Sequence, residues 1–246
     1  MKVTRAIMLP AATFAMLLGG AAHAQNISGG VELATDESRR GLSWSGGRAV
    51  ASADGLMTIG AADASVRIVS MRNSPRHAGA DAVADLELGI ATDAGPFRLR
   101  GHVAAHLFTG ARERMDYVEL GARGSYSLGP LQLGAGAVYA PSQSAIGGDN
   151  LYLFASANAG IPATPLSASA TLGHSTGSTD DPVRAARLRP LGDYTDWRLG
   201  MEYNQFPFTI GLDYVGTRFA RHASISPFAD PGNSGDRVVA RVRLAF

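Results

Sequence analysis

Hydrophobic and polar positions alternate most clearly at the end of the chain, over residues 236–246. One face of this stretch carries only apolar side chains, namely Val238, Ala240, Val242, Leu244 and Phe246. The other face carries Arg241 and Arg243 beside Val239 and Ala245. A period of two predicts a β-strand whose two faces meet different surroundings. We interpret the stretch as the closing strand of a bacterial outer-membrane β-barrel. The alternative is the last strand of a periplasmic sandwich, whose apolar face would meet a protein core.

The same alternation recurs along most of the chain and predicts about 12 strands of roughly 9–12 residues. Short turns near residues 95, 129, 163 and 206 each contain Pro, and Asp54-Gly55 predicts a further tight turn. Longer polar loops lie near residues 36–47, 72–82, 109–115, 140–150, 174–193 and 218–235. Short turns on one side and long loops on the other are typical of outer-membrane barrels. We therefore predict an all-β fold, a closed antiparallel transmembrane β-barrel that leaves no unpaired backbone edge in lipid.

The first 24 residues read as a cleaved signal peptide, which leaves residues 25–246 as the barrel. Lys2 and Arg5 form a positive start, residues 6–22 are apolar and small, and Ala22-His23-Ala24 has the shape of a cleavage site. Beyond the leader, the sequence contains no run of the roughly 18 apolar residues that a spanning helix needs. The expected location is the bacterial outer membrane.

Composition excludes several classes of function. The sequence contains no Cys, which excludes disulfides, thiolate metal sites and acylation of an N-terminal cysteine. Without Lys2 and Arg5, the 22 basic side chains of the whole sequence fall to 20, against 21 acidic ones. A balanced charge without a basic run gives no reason to expect a nucleic-acid partner. No cofactor or metal is expected.

Charged residues on the polar faces of the predicted strands are the candidate pore-lining set. They are Glu32, Arg67, Asp85, Glu87, Arg98, Arg100, His102, His106, Glu119, Arg123, Arg198, Glu202, Asp213, Arg241 and Arg243. Counting from the short turns places Glu87 opposite His102 with Arg100 diagonal, and Arg198 opposite Asp213. Two interpretations follow. Either cross-strand pairs hold the lumen wall together, or unpaired members, especially Arg98, Arg100 and His106, select which solutes pass.

Other kinds of site have weaker support. His174-Ser175 beside Asp180-Asp181 is the candidate hydrolase arrangement, but neighbours in a strand point to opposite faces, so His174 is badly placed to orient Ser175. Asp230, Asn233 and Asp236 resemble a hard-cation loop in composition but not in spacing. The sequence therefore predicts no enzyme activity. Loops 174–193 and 218–235 are the candidate surfaces for binding partners.

Several strand and turn segments carry a resemblance to a known family, as does Arg40-Gly41-Leu42-Ser43 after the first strand. The segments are 117–122, 129–131, 138–141, 151–153, 172–174, 194–200 and 211–215. On these residues the sequence resembles the TorF-type porin family of proteobacterial outer membranes, whose Arg-Gly-x-Ser signature Arg40-Gly41-Leu42-Ser43 matches. Glu37 and Arg39 stand where the family usually has aromatic residues, and Trp44 stands where Gln is common. The resemblance implies an outer-membrane barrel with a pore whose substrate is generally unassigned.

These observations predict a porin-like channel for passive diffusion of small polar solutes. About 12 strands lie between the eight that leave room only for side chains and the 16–18 of open porins, so the pore should be narrow. The alternative is a non-conducting barrel that has a structural role or binds partners through its loops. Expected partners are outer-membrane lipid and lipopolysaccharide, and the barrel assembly machinery through the strand that ends at Phe246.

Overall fold

The computed structural model describes residues 25–220 and 226–246. The predicted signal peptide, residues 1–24, lies outside the described residues. The strands are β1 (Gln25–Ala34), β2 (Ser38–Arg39), β3 (Leu42–Ser43), β4 (Val50–Ile59), β5 (Ala62–Ser74), β6 (Ala80–Ala94), β7 (Phe97–Thr109), β8 (Tyr117–Leu128), β9 (Leu131–Gln143), β10 (Gly148–Gly160), β11 (Leu166–Thr176), β12 (Tyr194–Gln205), β13 (Phe208–Phe219) and β14 (Arg237–Ala245). Short helical turns at Pro75–His77, Ser144–Ile146 and Pro231–Asn233 and the helix α1 (Pro182–Ala185) lie in the long loops. Among the described residues, no helix is long and apolar enough to cross a bilayer.

Twelve of these strands, β1 and β4 to β14, form a closed barrel in which every neighbouring pair is antiparallel. The barrel closes where β1 pairs with β14, opposing Val31 to Leu244. The backbone N–H of Phe246 donates to the carbonyl of Gly29 at 3.0 Å, and the return bond measures 2.9 Å. Closure pairs the edge groups that lipid would leave unsatisfied. The predicted 12-stranded antiparallel barrel is confirmed.

The predicted turn at Asp54-Gly55 is wrong. Strand β4 runs through both residues, and the chain turns at Gly60 and Ala61 instead. Asp54 pairs with Arg67 of β5 in the register, and its carboxylate forms an ion pair with Arg243 on β14. Asp54 is therefore a lumen-facing strand residue that pairs with an arginine. An Asp-Gly pair in the sequence does not distinguish this position from a turn.

The outward face of the barrel carries large apolar side chains. Ile27, Ile68, Leu88, Leu99, Leu120, Leu153, Leu199, Ile210, Leu212 and Val238 are all more than two fifths exposed to the surroundings of the chain. They alternate along their strands with charged or small residues that face inward. An apolar outside and a polar inside are what a barrel in a bilayer requires.

At the long-loop end, the barrel interior is filled by a hydrophobic core. We call this region the loop cap, and its buried members are Leu42, Trp44, Val50, Val69, Met71, Ala80, Val83, Tyr117, Ala140, Ala145, Ile146, Leu188 and Tyr194. They come either from the loop-side ends of strands or from the loops themselves. The hydrophobic effect, which favours removal of apolar side chains from water, is the main contribution to the stability of such packed interiors. The cap therefore folds as a small core set into the mouth of the barrel.

Candidate functional site

The first long loop folds into the barrel. We call residues 36–47 the lumen hairpin, because β2 and β3 pair within it and Arg40 and Gly41 connect them. Both connecting residues have positive φ, 48° and 73°, as a two-residue type I′ turn requires. The hydroxyl of Tyr194 on β12 donates to the Arg40 carbonyl at 3.0 Å. The tip of the hairpin is thus fixed against the wall at β12.

Arg39 fixes the hairpin to the opposite wall. Its guanidinium donates two hydrogen bonds to Asp85 on β6, at 3.0 and 2.6 Å, and β6 lies six strands from β12 in either direction around the barrel. Glu37 accepts from Arg39 at 2.7 Å and from Arg67 on β5 at 2.7 and 3.0 Å. Burial raises the pKa of Glu37, but Arg39 and Arg67 together lower it below its ordinary value. The hairpin therefore spans the lumen on charged contacts.

Arg40 extends this network to β8. Its guanidinium donates to Glu119 at 2.7 Å and lies 4.7 Å from the centre of the Tyr152 ring. His106 on β7 lies between Glu119 and Asp85, with nitrogen–oxygen distances of 3.3 and 2.7 Å. The two hairpin arginines are therefore joined through three wall side chains. Charge-assisted contacts of this kind are the stronger class of hydrogen bond.

Below the hairpin lies a polar cavity of about 380 Å³, which we call the chamber. Its charged lining consists of Glu32, Asp36, Glu37, Asp196 and Asp213 and of Arg39, Arg40, Arg67, Arg198 and Arg241. Asp213 is shared by Arg198 at 2.9 Å and Arg241 at 3.0 Å. Balanced pairing keeps the charged groups stable inside the barrel, where a lone charge would be costly.

Toward the short turns, the lumen wall stays polar. Arg100 contacts Asp63 and also Glu87, the latter at 2.5 Å, and Arg243 contacts Asp54. A second cavity of about 310 Å³ is lined by small and polar residues, among them Gln132, Asn158, Ser167, Ser169 and Glu202. Hydrophilic lining at this end contrasts with the packed apolar core at the loop end.

Two fully buried arginines hold the loop cap together. Arg76 donates to the carbonyl of Ser43 at 2.9 Å, to the carbonyl of Arg187 at 3.1 Å and to the hydroxyl of Ser234 at 2.7 Å. Arg187 donates to the carbonyl of Met115 at 2.6 Å and to Nδ1 of His77 at 3.0 Å. Burial lowers the pKa of each arginine to about 10. Five of the long loops therefore meet at two side chains.

Most of the candidate pore-lining residues form ion pairs across neighbouring strands. Of the two interpretations, the one in which Arg98, Arg100 and His106 are unpaired is wrong for all three residues. Arg98 contacts Asp93 at 2.9 Å, and Arg100 and His106 have the partners given above. Among the described residues, Arg123 is the candidate arginine for which no carboxylate lies within ion-pair distance.

The predicted strand registers are wrong by two residues. Glu87 opposes Ala104, and Gly89 opposes His102; Arg198 opposes Val215, and Gly200 opposes Asp213. The pairs named from the sequence are diagonal neighbours, with His102 and Glu87 3.9 Å apart and Arg198 and Asp213 2.9 Å apart. Diagonal neighbours are within reach of long side chains, so the contacts survive the register error.

The weaker candidate sites are not assembled. Ser175 is fully buried, while His174 is exposed and its Nδ1 lies 3.0 Å from the Thr195 hydroxyl. Asp181 accepts from the first backbone N–H groups of α1 and caps that helix. Asp230 accepts from Asn233 at 2.8 Å, while Asp236 accepts from Tyr214. Within residues 25–220 and 226–246, no group of three or more His, Asp or Glu side chains is arranged so that it could hold a metal ion.

The lumen-facing residues of the first loop were not predicted from the sequence. Asp36, Glu37, Arg39 and Arg40 all line the chamber, from a stretch that was expected to be a polar loop and to carry the Arg-Gly-x-Ser signature. Leu42 and Trp44, two apolar residues in that stretch, were a signal that it is buried. Asp196, two residues before Arg198 on the same face of β12, also lines the chamber but is not among the candidate pore-lining residues.

The closed 12-stranded barrel, with its apolar exterior, charged interior and inward-folded loop, resembles outer-membrane porins in fold. The fold is similar to that of KdgM porin, with a TM-score of 0.59 at 5% identity over 90% of this chain and 99% of that one. It is also similar to the COG4313 outer-membrane channel from Pseudomonas putida F1, with a TM-score of 0.53 at 11% identity over 89% and 95% of the two chains. At these identities the likeness shows the fold alone.

The family model of Gcw_chp, bacterial proteins of unknown function, matches residues 19–243, and the chain belongs to that family. No match was found among curated proteins. The resemblance to TorF-type porins stays a prediction, because the matched description does not carry that name.

Proposed function

We propose that this protein is an outer-membrane channel that passes small polar solutes by passive diffusion, with the lumen hairpin as its constriction. The observation that carries the proposal is the hairpin itself, which spans the lumen between β6 and β12 through Arg39 and Tyr194. It lies above a polar chamber of about 380 Å³. Charged groups at a constriction select solutes by size and charge. The similar structures named as a porin and a channel support the same function.

The membrane environment follows from the outward apolar belt. We propose that outer-membrane lipid and lipopolysaccharide surround the barrel, and that the assembly machinery recognises β14 and Phe246. In this proposal the channel uses no cofactor and catalyses no reaction, and the exposed His174 and the buried Ser175 play no part in it. Export by a cleaved signal peptide is part of the same proposal.

Liposome swelling with the refolded protein tests the channel. We expect polar solutes to enter at rates that decrease steeply with solute size, as a constricted lumen requires. Neutralising the hairpin arginines with Arg39→Gln and Arg40→Gln should raise the entry rate, because the hairpin loses its contacts with Asp85 and Glu119. Folded barrels that show no entry in either form would refute passive diffusion.

The loop cap favours a second candidate, a non-conducting barrel that binds a partner through its loops. Trp44 and Leu188 are as buried there as residues in a soluble protein core, and Arg76 and Arg187 join the loops rigidly. The same swelling experiment separates the two functions. If the Arg39→Gln and Arg40→Gln barrel still admits no solute into the liposomes, the result would favour the binding function.

A further inference from the structure

Asp196 differs from the other carboxylates around the chamber. It is 3% exposed, and its Oδ1 accepts a hydrogen bond from the Tyr152 hydroxyl at 3.2 Å. Its Oδ2 is buried and has no hydrogen-bond partner among the described residues. Glu32, Asp36, Glu37 and Asp213 all form ion pairs with arginine. A buried carboxylate oxygen without a donor is destabilising, so the fold keeps an acceptor free at this point of the chamber wall.

Arg198 provides the complementary group. It lies two residues further along β12, so it faces the same side of the sheet as Asp196, at a spacing of about 7 Å along the strand. Its side chain is 38% exposed, and its described hydrogen bond is the one that Nη2 donates to Asp213. Arg198 lines the chamber and also the second cavity. A free acceptor and a partly free donor thus stand side by side on one wall.

The chamber is the right size for a small molecule. Its volume of about 380 Å³ lies in the range of about 300–1,000 Å³ that ligand sites occupy. The arginines and acids of its lining are balanced in number. A solute with a net charge would disturb that balance, whereas a solute with one positive and one negative group would not.

We propose that the chamber binds a small zwitterionic solute of the amino-acid type, with its ammonium group on Asp196 and its carboxylate on Arg198. The ammonium would donate to the free Oδ2, and Arg198 would hold the carboxylate in the geometry that guanidinium groups favour. Tyr152 fixes the Asp196 carboxylate, and the ring contact with Arg40 connects the site to the hairpin. This inference names the solute class of the proposed channel, and in that sense it rests on the proposed function.

Equilibrium titration calorimetry of the refolded full barrel in detergent tests the site with three probes of equal chain length. The probes are γ-aminobutyrate, which carries both charges, n-butylamine, which is only cationic, and butyrate, which is only anionic. We expect γ-aminobutyrate to bind at least tenfold more tightly than either of the others. Equal binding of n-butylamine would overturn the zwitterion site, and so would a lack of γ-aminobutyrate binding.

Variants assign the two ends of the solute. Asp196→Asn should weaken γ-aminobutyrate binding tenfold or more, and Arg198→Gln should remove its advantage over n-butylamine. Asp196→Asn removes a buried charge without changing side-chain shape, so the barrel should fold, which its heat-dependent gel mobility verifies. The control Asp63→Asn lies outside the chamber, next to Arg100, and should bind as the parent does. An Asp196→Asn barrel that binds γ-aminobutyrate like the parent would overturn the assignment.

The two experiments can refute the zwitterion site and the channel independently of each other. Calorimetry in detergent requires no passage through the lumen, while liposome swelling requires no particular affinity. Binding of γ-aminobutyrate without flux would refute the channel and keep the site. Flux of polar solutes without γ-aminobutyrate binding would refute the site and keep the channel.

Discussion

Gly41 is the residue on which the inward position of the lumen hairpin depends most directly. A Cβ at this position would lie 2.5 Å from Cγ2 of Thr217, 2.7 Å from Cβ of Asp196 and 2.9 Å from the carbonyl of Gly216. Its φ of 73° is also unfavourable for a residue with a side chain. We expect Gly41→Ala to destabilise the docked hairpin while leaving the barrel strands unchanged.

The size of the effect follows from two terms. The left-handed backbone costs a non-glycine residue about 1–2 kcal/mol, and overfilling a packed site costs about 1–3 kcal/mol. Together they disfavour the docked state by about 2–5 kcal/mol, which is a shift of roughly 30- to 4,000-fold in the docking equilibrium. Both terms disappear when the hairpin leaves the lumen, because a free loop can relax.

Single-cysteine labelling measures that equilibrium, since the chain has no cysteine of its own. Leu42 is 1% exposed in the docked hairpin, so a Leu42→Cys barrel should react slowly with a maleimide. Adding Gly41→Ala should raise the reaction rate by the factor above, up to the rate of an exposed thiol. Tyr194→Phe, which removes one hydrogen bond to Arg40, should give a smaller rise of about 2- to 12-fold.

Gly60→Ala is the matched control. Gly60 also has positive φ, 59°, but no atom lies within 4 Å of the Cβ that alanine would add, and it occupies the short turn at the other end of β4 from the hairpin. Its barrel should label at the parent rate. If folded Gly41→Ala and parent barrels label Leu42→Cys equally fast, the close contacts do not hold the hairpin and the reasoning fails.

Three further predictions concern the cap and the lumen, and the cap is followed by Trp44 fluorescence in a Trp197→Phe background, which leaves one tryptophan. Arg76→Met should destabilise the cap by at least about 3 kcal/mol, because several buried acceptors lose their donor. The control Arg98→Met, whose partner Asp93 is exposed, should change stability by no more than about 1 kcal/mol. Equal loss of stability in the two variants would contradict the role of Arg76 in the cap. Burial first, then the charges of Arg187 and Arg76, keep the pKa of His77 well below its ordinary value, so the folded cap keeps His77 neutral while an unfolded cap binds a proton below about pH 6.5. Cap stability is then complete above that pH and falls with acidification, and His77→Gln should reduce the emission change of Trp44 between pH 8 and pH 5; an unchanged profile would refute the role of His77. Arg123→Gln should shift the reversal potential in a salt gradient toward cation selectivity while Gln132→Ala does not, and identical potentials would show that Arg123 does not face the ion path.

The alternation of side chains made the barrel predictable, because strand period and strand length are local properties. The same alternation places Arg67 and Glu119 on the face opposite the outward apolar residues, where both contact the lumen hairpin. Strand register is not a local property. The predicted partners of His102 and Asp213 were each wrong by two residues, because the composition of a short turn does not determine its geometry. The misplaced turn at Asp54 has the same origin, because an acid in a strand and an acid in a turn look alike in sequence.

The inward fold of the first loop depends on partners that are far away in sequence. Arg39 meets Asp85 and Arg40 meets Glu119, each on a different strand, and a sequence pattern cannot show which distant carboxylate an arginine reaches. The near balance of the lumen charges does not by itself define a charge selectivity. The pairing resolves this, since a charge that already has a partner contributes little to the field that a solute meets. Recognition then falls to atoms without partners, which in the described lumen include the Arg123 guanidinium and Oδ2 of Asp196. In the proposed channel, a charged interior can therefore still discriminate through a few side chains.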